Sequence, residues 1–383
     1  MVLKSARRGS VDPFIVMEVL REANRRSAAG ESILHLEVGQ PSTPAPLAVR
    51  KAAQRALEND LIGYTDALGL PALRTAIARH YRDFYGVNVP VDRIVVTTGS
   101  SAGFLLAFLA CFDPGDRVAL ASPGYPCYRN ILQVLDIEPV LLPMTAATKF
   151  QPTAAILEQA DLTDIAGLII ASPSNPVGAL IAADEQRRLT NLCRQRGWRL
   201  IADEIYHGIT YEHPAATMAA FNDDAIIVNS FSKYFSMTGW RLGWLILPPA
   251  LLQQVERLQQ NLFISPPSLS QHAAIAAFEA HEELQRNLQR YAANRSILLN
   301  ELPQAGFDKL VATDGAFYVY ADVGEMTDDS VAFARRILTE IGVAVTPGVD
   351  FDPARGQHFL RFSFAGSTED MVEAMRRLRD WRR

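Results

Sequence analysis

Apolar and polar positions follow two rhythms along this chain. Residues 11–29, VDPFIVMEVLREANRRSAA, repeat apolar side chains at helical spacing and stop at Gly30. The stretch SILHLEVGQPSTPAP then reads as a short strand followed by a turn-rich segment with three prolines. From about residue 46 to 280, helices and strands alternate. The pattern predicts helices over 47–59, 71–85, 101–112, 125–135, 184–196 and 267–290. Between them stand short apolar runs at 93–98, 117–122, 167–172, 199–204, 225–230 and 243–247. Runs of this kind, unalternated and separated by helices, are what a parallel sheet covered on both faces requires.

After a helical stretch to about residue 300 the texture changes. GAFYVYADV, the helix DSVAFARRILTEIG, VAVTPG, HFLRFSF and a closing helix TEDMVEAMRRLRDWRR read as a smaller α+β unit. The expected organisation is a large α/β domain over residues 46–285 and a small α+β domain built from both chain ends, 1–45 plus 286–383. At 383 residues, 49% hydrophobic and 21% charged, the composition is that of an ordinary globular protein. A net charge of −5 argues against an electrostatic grip on nucleic acid. Arg7-Arg8 and Arg25-Arg26 read as solvated faces. Cys111, Cys127 and Cys193 lack CxxC spacing, so they make neither a metal site nor a disulfide framework by themselves. With no apolar signal core and no run of about 18 apolar residues, no membrane span is expected, and the cytoplasm is the expected compartment.

Ligands of open α/β sheets bind at the carboxyl ends of the strands. Here those ends are polar: Thr98-Gly99-Ser100-Ser101, Ser172-Pro173-Ser174-Asn175, Asp203-Glu204-Ile205-Tyr206 and Ser230-Phe231-Ser232-Lys233. The Gly99–Ser101 turn opens a helix, and reads either as an anion cradle or as a plain cap. No GxGxxG follows a strand, so a single phosphate suits it better than a dinucleotide. Lys233 is the sharpest residue, one of five lysines against 32 arginines, set among apolar and small neighbours. A desolvated amine loses pKa and can attack a carbonyl, which arginine cannot do. Alone, it would equally be a snorkelling surface lysine. Its company changes the weighing. Arg241, Ser230 and Ser232 complete a phosphate cup with the glycine turn. Asp203 would pair with a pyridinium nitrogen or else cap the next segment. Asn175 and Tyr206 would donate to a ring oxygen, although Asn-Pro is also a common turn. Together these parts make a complete pyridoxal phosphate site.

The chain resembles the class I/II aminotransferases, pyridoxal phosphate enzymes with the aspartate aminotransferase fold. The resemblance is carried by LEVGQPSTP, YTDALGLPALR, TTGSSAGF, SPGYPCY, SPSNPVG, ADEIY, SFSKYFSMTGWRLGW and FLRFSF, in the family's order across essentially the whole chain. It implies fold type I, a three-layer large domain with a mostly parallel sheet. It also implies that Lys233 holds pyridoxal 5'-phosphate as a Schiff base and then shuttles the proton. Asp203 would face the pyridine nitrogen, and Asn175 and Tyr206 the ring oxygen. Tyr125 would stack on one ring face, with Ile205 against the other. Gly99, Ser100, Ser101, Ser230, Ser232 and Arg241 would hold the phosphate, joined by Tyr64 from the partner of a homodimer with shared sites. Arg361 would grip the substrate carboxylate, with Asn175 and the Gly39 backbone beside it. His207 reads as structural, and Trp240 and Trp244 as packing.

The implied reaction moves an amino group between an amino acid and a 2-oxo acid by a ping-pong mechanism. The same site would also serve a C–S β-lyase, a decarboxylase or a racemase. A third reading, a ligand-sensing domain joined to a DNA-binding module, finds no room for the module, since the fold's segments begin near residue 11. Acidic, apolar and aromatic substrate side chains all remain open at this point.

Overall fold

The alternating apolar runs assemble into one seven-stranded sheet in the computed structural model, which describes residues 3–311 and 313–382. The chain begins with α1 (Ile15–Ala28), β1 (Leu34–His35), α2 (Leu47–Asn59), α3 (Pro71–Tyr85), β2 (Ile94–Thr97) and α4 (Gly99–Cys111). Next come β3 (Arg117–Ser122), α5 (Pro126–Val134), β4 (Glu138–Pro143), α6 (Ala154–Gln159), β5 (Ile165–Ala171), α7 (Ala183–Arg196), β6 (Arg199–Asp203) and β7 (Ile226–Ser230). After β8 (Gly243–Ile246) follow α8 (Leu252–Leu262), α9 (Ser268–Ala274) and α10 (His281–Gln304). The chain closes with β9 (Lys309–Leu310), β10 (Tyr318–Asp322), α11 (Ser330–Ile341), β11 (Val343–Ala344), β12 (Thr346–Pro347), β13 (Phe359–Ser363) and α12 (Thr368–Arg382).

The large sheet has the order β2-β8-β7-β6-β5-β3-β4. Strands β3 to β7 pair in parallel, whereas β8 runs antiparallel to both β2 and β7. Its inner strands are mostly apolar because both faces are buried, whereas the edge strand β4 is largely exposed. Leu168, Ile170, Leu200, Ala202 and Ile227 pack into one core, while Ile169, Ile201, Ile226 and Val228 pack into another with α4, α5 and α8. That alternation sends consecutive residues at a strand's end to opposite sides of the sheet.

The remaining strands join the two ends of the chain. β1 pairs in parallel with β11, Leu34 opposite Val343. An antiparallel sheet of order β12-β13-β10-β9 lies beside it, tied in by the Ser363 amide donating to the Leu36 carbonyl at 2.7 Å.

The expected α/β architecture is present, with three corrections. The single helix expected over 267–290 is divided: α9 passes into a 3-10 turn over Ile275–Glu279, and Ala280 leaves helical geometry before α10 starts. The apolar run at 243–247 is a strand, but a reversed one, because an apolar run carries no direction. The edge strand β4 and helices α6 and α8 lie where no element was expected. Among the described residues no helix is long and apolar enough to cross a membrane.

Candidate active site

The carboxyl ends of β5, β6 and β7 open into a cavity of about 330 Å³. Asp203 ends β6 and points into it, on the side of the sheet that carries α5. Its Oδ1 accepts the Ile205 amide at 2.9 Å, and its Oδ2 accepts the Tyr128 hydroxyl. Burial pushes the Asp203 pKa up to about 6, opposed by those two donors and by Lys233.

Lys233 stands in the turn after β7. Its Nζ donates to the Gly39 carbonyl at 2.6 Å and lies 5.8 Å from the centre of the Tyr206 ring. Burial, with the Arg361 and Arg241 charges, brings its pKa down to about 8. An amine held this way is far readier to lose its proton than an ordinary lysine. Glycine is required at 39 for the close packing of Tyr318, since a Cβ there would collide with the Tyr318 hydroxyl.

Arg361 comes from β13 and is 2% exposed. Nη1 donates to Asn175 Oδ1 at 2.8 Å, and Nη2 to the Glu37 carbonyl at 2.5 Å and Thr346 Oγ1 at 3.3 Å. The guanidinium lies over the Tyr318 and Phe351 rings, at 4.2 and 4.7 Å. Its buried Nε has no partner among the described residues. The bond to Arg361 occupies the Asn175 carbonyl oxygen, and its amide nitrogen has no acceptor among the described residues. Tyr206 shares a hydrogen bond of 2.6 Å with the Tyr318 hydroxyl.

A cationic end lies opposite. Ser100 and Ser101, in the first turn of α4, line the cavity with Ser232 and Arg241, and the unpaired amides of a helix start favour an anion. Gly99 has φ +74°, and a Cβ there would come within 2.7 Å of Arg241 Nη2, so glycine lets the guanidinium lie on the helix start. Ser230 stands behind this surface. Its hydroxyl is 2.8 Å from Ser232 Oγ and 3.0 Å from the Leu242 carbonyl, and it accepts the Ser232 amide.

Of the expected residues, Gly39, Ser100, Ser101, Tyr125, Asn175, Asp203, Ile205, Tyr206, Ser232, Lys233, Arg241 and Arg361 all line this one cavity. Gly99 and Ser230 support it from behind. Tyr64, expected to act on the site of a partner subunit, does not line the cavity of its own protomer and is 87% exposed. His207 is buried with Nε2–H donating to the Ser172 carbonyl and Nδ1 accepting the Tyr85 hydroxyl, both at 2.9 Å. Burial pushes its pKa down to about 3, so it stays neutral.

Sequence reasoning missed Tyr128, Tyr318 and the apolar rim made by Phe14, Val16, Met17 and Val38. Tyr128 had a signal, being three residues after Tyr125 on one helix face. The rim had none, because it depends on Asp350, far along the chain, accepting the Ile15 and Val16 amides at 3.2 and 3.0 Å. Among the described residues no cluster of His, Cys, Asp or Glu suits a metal.

Residues 31–378 match the family model of class I and II aminotransferases, and the chain belongs to that family. It is an aminotransferase of fold type I. It is 50% identical over 385 residues to valine–pyruvate aminotransferase of Mycobacterium tuberculosis, covering 100% of this chain and 99% of that protein. It is 33% identical over 375 residues to (5-formylfuran-3-yl)methyl phosphate transaminase of Methanocaldococcus jannaschii, 97% of each chain being covered. Among solved structures, an aminotransferase from M. tuberculosis superposes with a TM-score of 0.97 at 50% identity over 99% of both chains. Aspartate aminotransferase from Thermus thermophilus with maleate gives 0.93 at 30% identity, over 99% of this chain and 100% of that one. The family depends on pyridoxal phosphate, and the residues present fit it: an anion cradle, a buried carboxyl and a cavity-lining amine along one cavity.

Proposed function

We propose that the enzyme transfers an amino group between an amino acid with a small apolar side chain and pyruvate by a ping-pong mechanism. The observation that carries this reading is the convergence of Lys233, Asp203 and the Arg361 fork on one cavity with a cationic end. Gly99, Ser100, Ser101, Ser230, Ser232 and Arg241 hold the cofactor phosphate, with Ser230 acting through Ser232. Asp203 keeps the pyridine nitrogen protonated, Asn175 and Tyr206 donate to the ring oxygen, and Tyr125 and Ile205 flank the ring. Bound there through Nζ of Lys233, pyridoxal phosphate supplies an electron sink for the charge left when Cα loses its proton. Arg361 takes the substrate carboxylate with both arms of its fork, and the Gly39 backbone and Asn175 amide orient it. Lys233, once displaced, removes the Cα proton and returns it on the cofactor side, a transfer its lowered pKa favours.

Support for an apolar side chain comes from the rim. Among the described residues of this protomer no arginine beyond Arg241 and Arg361 lines the cavity, whereas Phe14, Val16, Met17 and Val38 do. The relative at 50% identity is named for valine and pyruvate. The unit of residues 46–285 holds the cofactor, and 1–45 with 286–383 form the small domain, a division supported by the β1–β11 pairing. A homodimer with shared sites is supported by the exposure of Tyr64 beside Leu61, 95% exposed. The compartment we assign is the cytoplasm, where three free cysteines stay reduced.

The test is a single half-reaction followed by the visible absorption of the holoenzyme. Valine and alanine should convert the cofactor band and release their 2-oxo acids, whereas aspartate and glutamate should leave it unchanged. Faster conversion by aspartate would overturn the substrate class.

A further inference from the structure

The segment that carries Lys233 has a second side. Phe235 turns away from the catalytic cavity into a cleft of about 500 Å³ between the end of α3 and the start of α10. Its floor is aromatic. His80 stacks on Phe84 at 5.2 Å with 28° between the planes, and lies 5.1 Å from Phe278 and 6.0 Å from Phe235. Neither His80 nitrogen has a hydrogen-bond partner among the described residues. Burial pushes its pKa down to about 4, so the ring is neutral near pH 7.

The rim holds charge of both signs. Arg79 lies on α3 and Glu279 at the end of the 3-10 turn, both exposed and both lining the cleft. Neither enters an ion pair among the described residues, whereas Asp83 on the same wall is taken by Arg82 at 2.9 Å. A planar ring gains from offset or edge contact with such a floor. Its head group then meets one guanidinium that favours a carboxylate and one carboxylate that favours an ammonium. An aromatic acid would leave Glu279 unmatched, and an aromatic amine would leave Arg79 unmatched. The volume is that of small-molecule sites.

We propose that this cleft binds an aromatic amino acid separately from the catalytic cavity, with the ring against His80, Phe84 and Phe278 and the head group between Arg79 and Glu279. The occupant touches Phe235, whose segment is closed back on Lys233 by the Ser236 amide donating to the Lys233 carbonyl at 3.1 Å.

The experiment is a calorimetric titration of the holoenzyme with L-phenylalanine, after borohydride reduction to stop turnover. We expect one saturable site per chain, unchanged in Arg361→Gln. Arg79→Gln, Glu279→Gln and Phe84→Ala should each weaken it by about tenfold, as should replacing the probe with 3-phenylpropionate or phenethylamine. Circular dichroism checks that the variants fold. No saturable binding, binding indifferent to Arg79 and Glu279, or binding lost in Arg361→Gln would each overturn the proposal, the last by putting phenylalanine in the catalytic cavity. Reduction that fails to fix the cofactor would instead count against the Lys233 linkage and leave the Arg79 and Arg361 comparison intact.

Discussion

Asp203 and Glu204 are consecutive, both carboxyls, and 4% and 3% exposed, yet they belong to different regions of the molecule. Asp203 faces the cavity, with the Tyr128 hydroxyl, the Ile205 amide and the Lys233 charge to hold its negative form. Glu204 faces the opposite core, where it accepts the Met218 amide at 2.7 Å and the Thr217 hydroxyl at 2.9 Å; the one basic group beside it among the described residues is the neutral His207 ring at 3.5 Å. Burial raises both, Asp203 to about 6 and Glu204 to about 8. Near neutral pH the first is largely ionised and the second largely protonated. Charge therefore follows the partners each side of the strand supplies, and the two-residue period decides which carboxyl meets the cavity.

Substitutions on the two sides should separate kinetics from stability. The largest effect belongs to Lys233→Ala, expected to lower kcat by about four orders of magnitude or more with the far-UV circular dichroism unchanged. Retained turnover would remove Lys233 from the mechanism. Arg361→Lys should raise KM by about 100-fold through loss of the planar fork, and unchanged substrate saturation would move the carboxylate grip elsewhere. Tyr128→Phe removes a donor to ionised Asp203, so the Asp203 pKa should rise by about one unit. The acid limb of the kcat/KM profile should move up with it, and a stationary limb would detach Tyr128 from Asp203.

Glu204→Gln should leave kcat and KM unchanged and alter only stability. The folded pKa of Glu204 stands above its ordinary 4.5, so the folded protein keeps a proton that the unfolded chain releases from pH 4.5 to about 8. Stability from this group falls as pH rises through that window. The variant should show less loss of Tm across it, and identical Tm profiles would mean that Glu204 ionises normally.

Much of the cavity was legible because its chemistry sits at strand ends. Lys233 was conspicuous as a lysine in an arginine-rich chain, and Asp203 and Asn175 as polar residues closing apolar runs. Arg361 stood out only through the resemblance of its strand to a known family. What stayed hidden depends on distant contacts. Nothing in the helix over 11–29 announces that Phe14, Val16 and Met17 rim the cavity, since the Asp350 carboxylate fixes their place. The break at Ala280 has no glycine or proline to mark it. Pro139 and Pro143 disguise β4, and proline is tolerated there because the strand forms the edge of the sheet.

The reversal of β8 also bears on how the enzyme acquires its cofactor. Since β8 returns antiparallel to β7, with Ser230 opposite Gly243, Lys233 and Arg241 hang from the two legs of one connection. Local opening that frees one leg frees the other, because they share a ladder of hydrogen bonds. On the proposed roles of Lys233 and Arg241, covalent anchor and phosphate grip would be released or engaged in a single cooperative step, so loading should be all-or-none rather than graded.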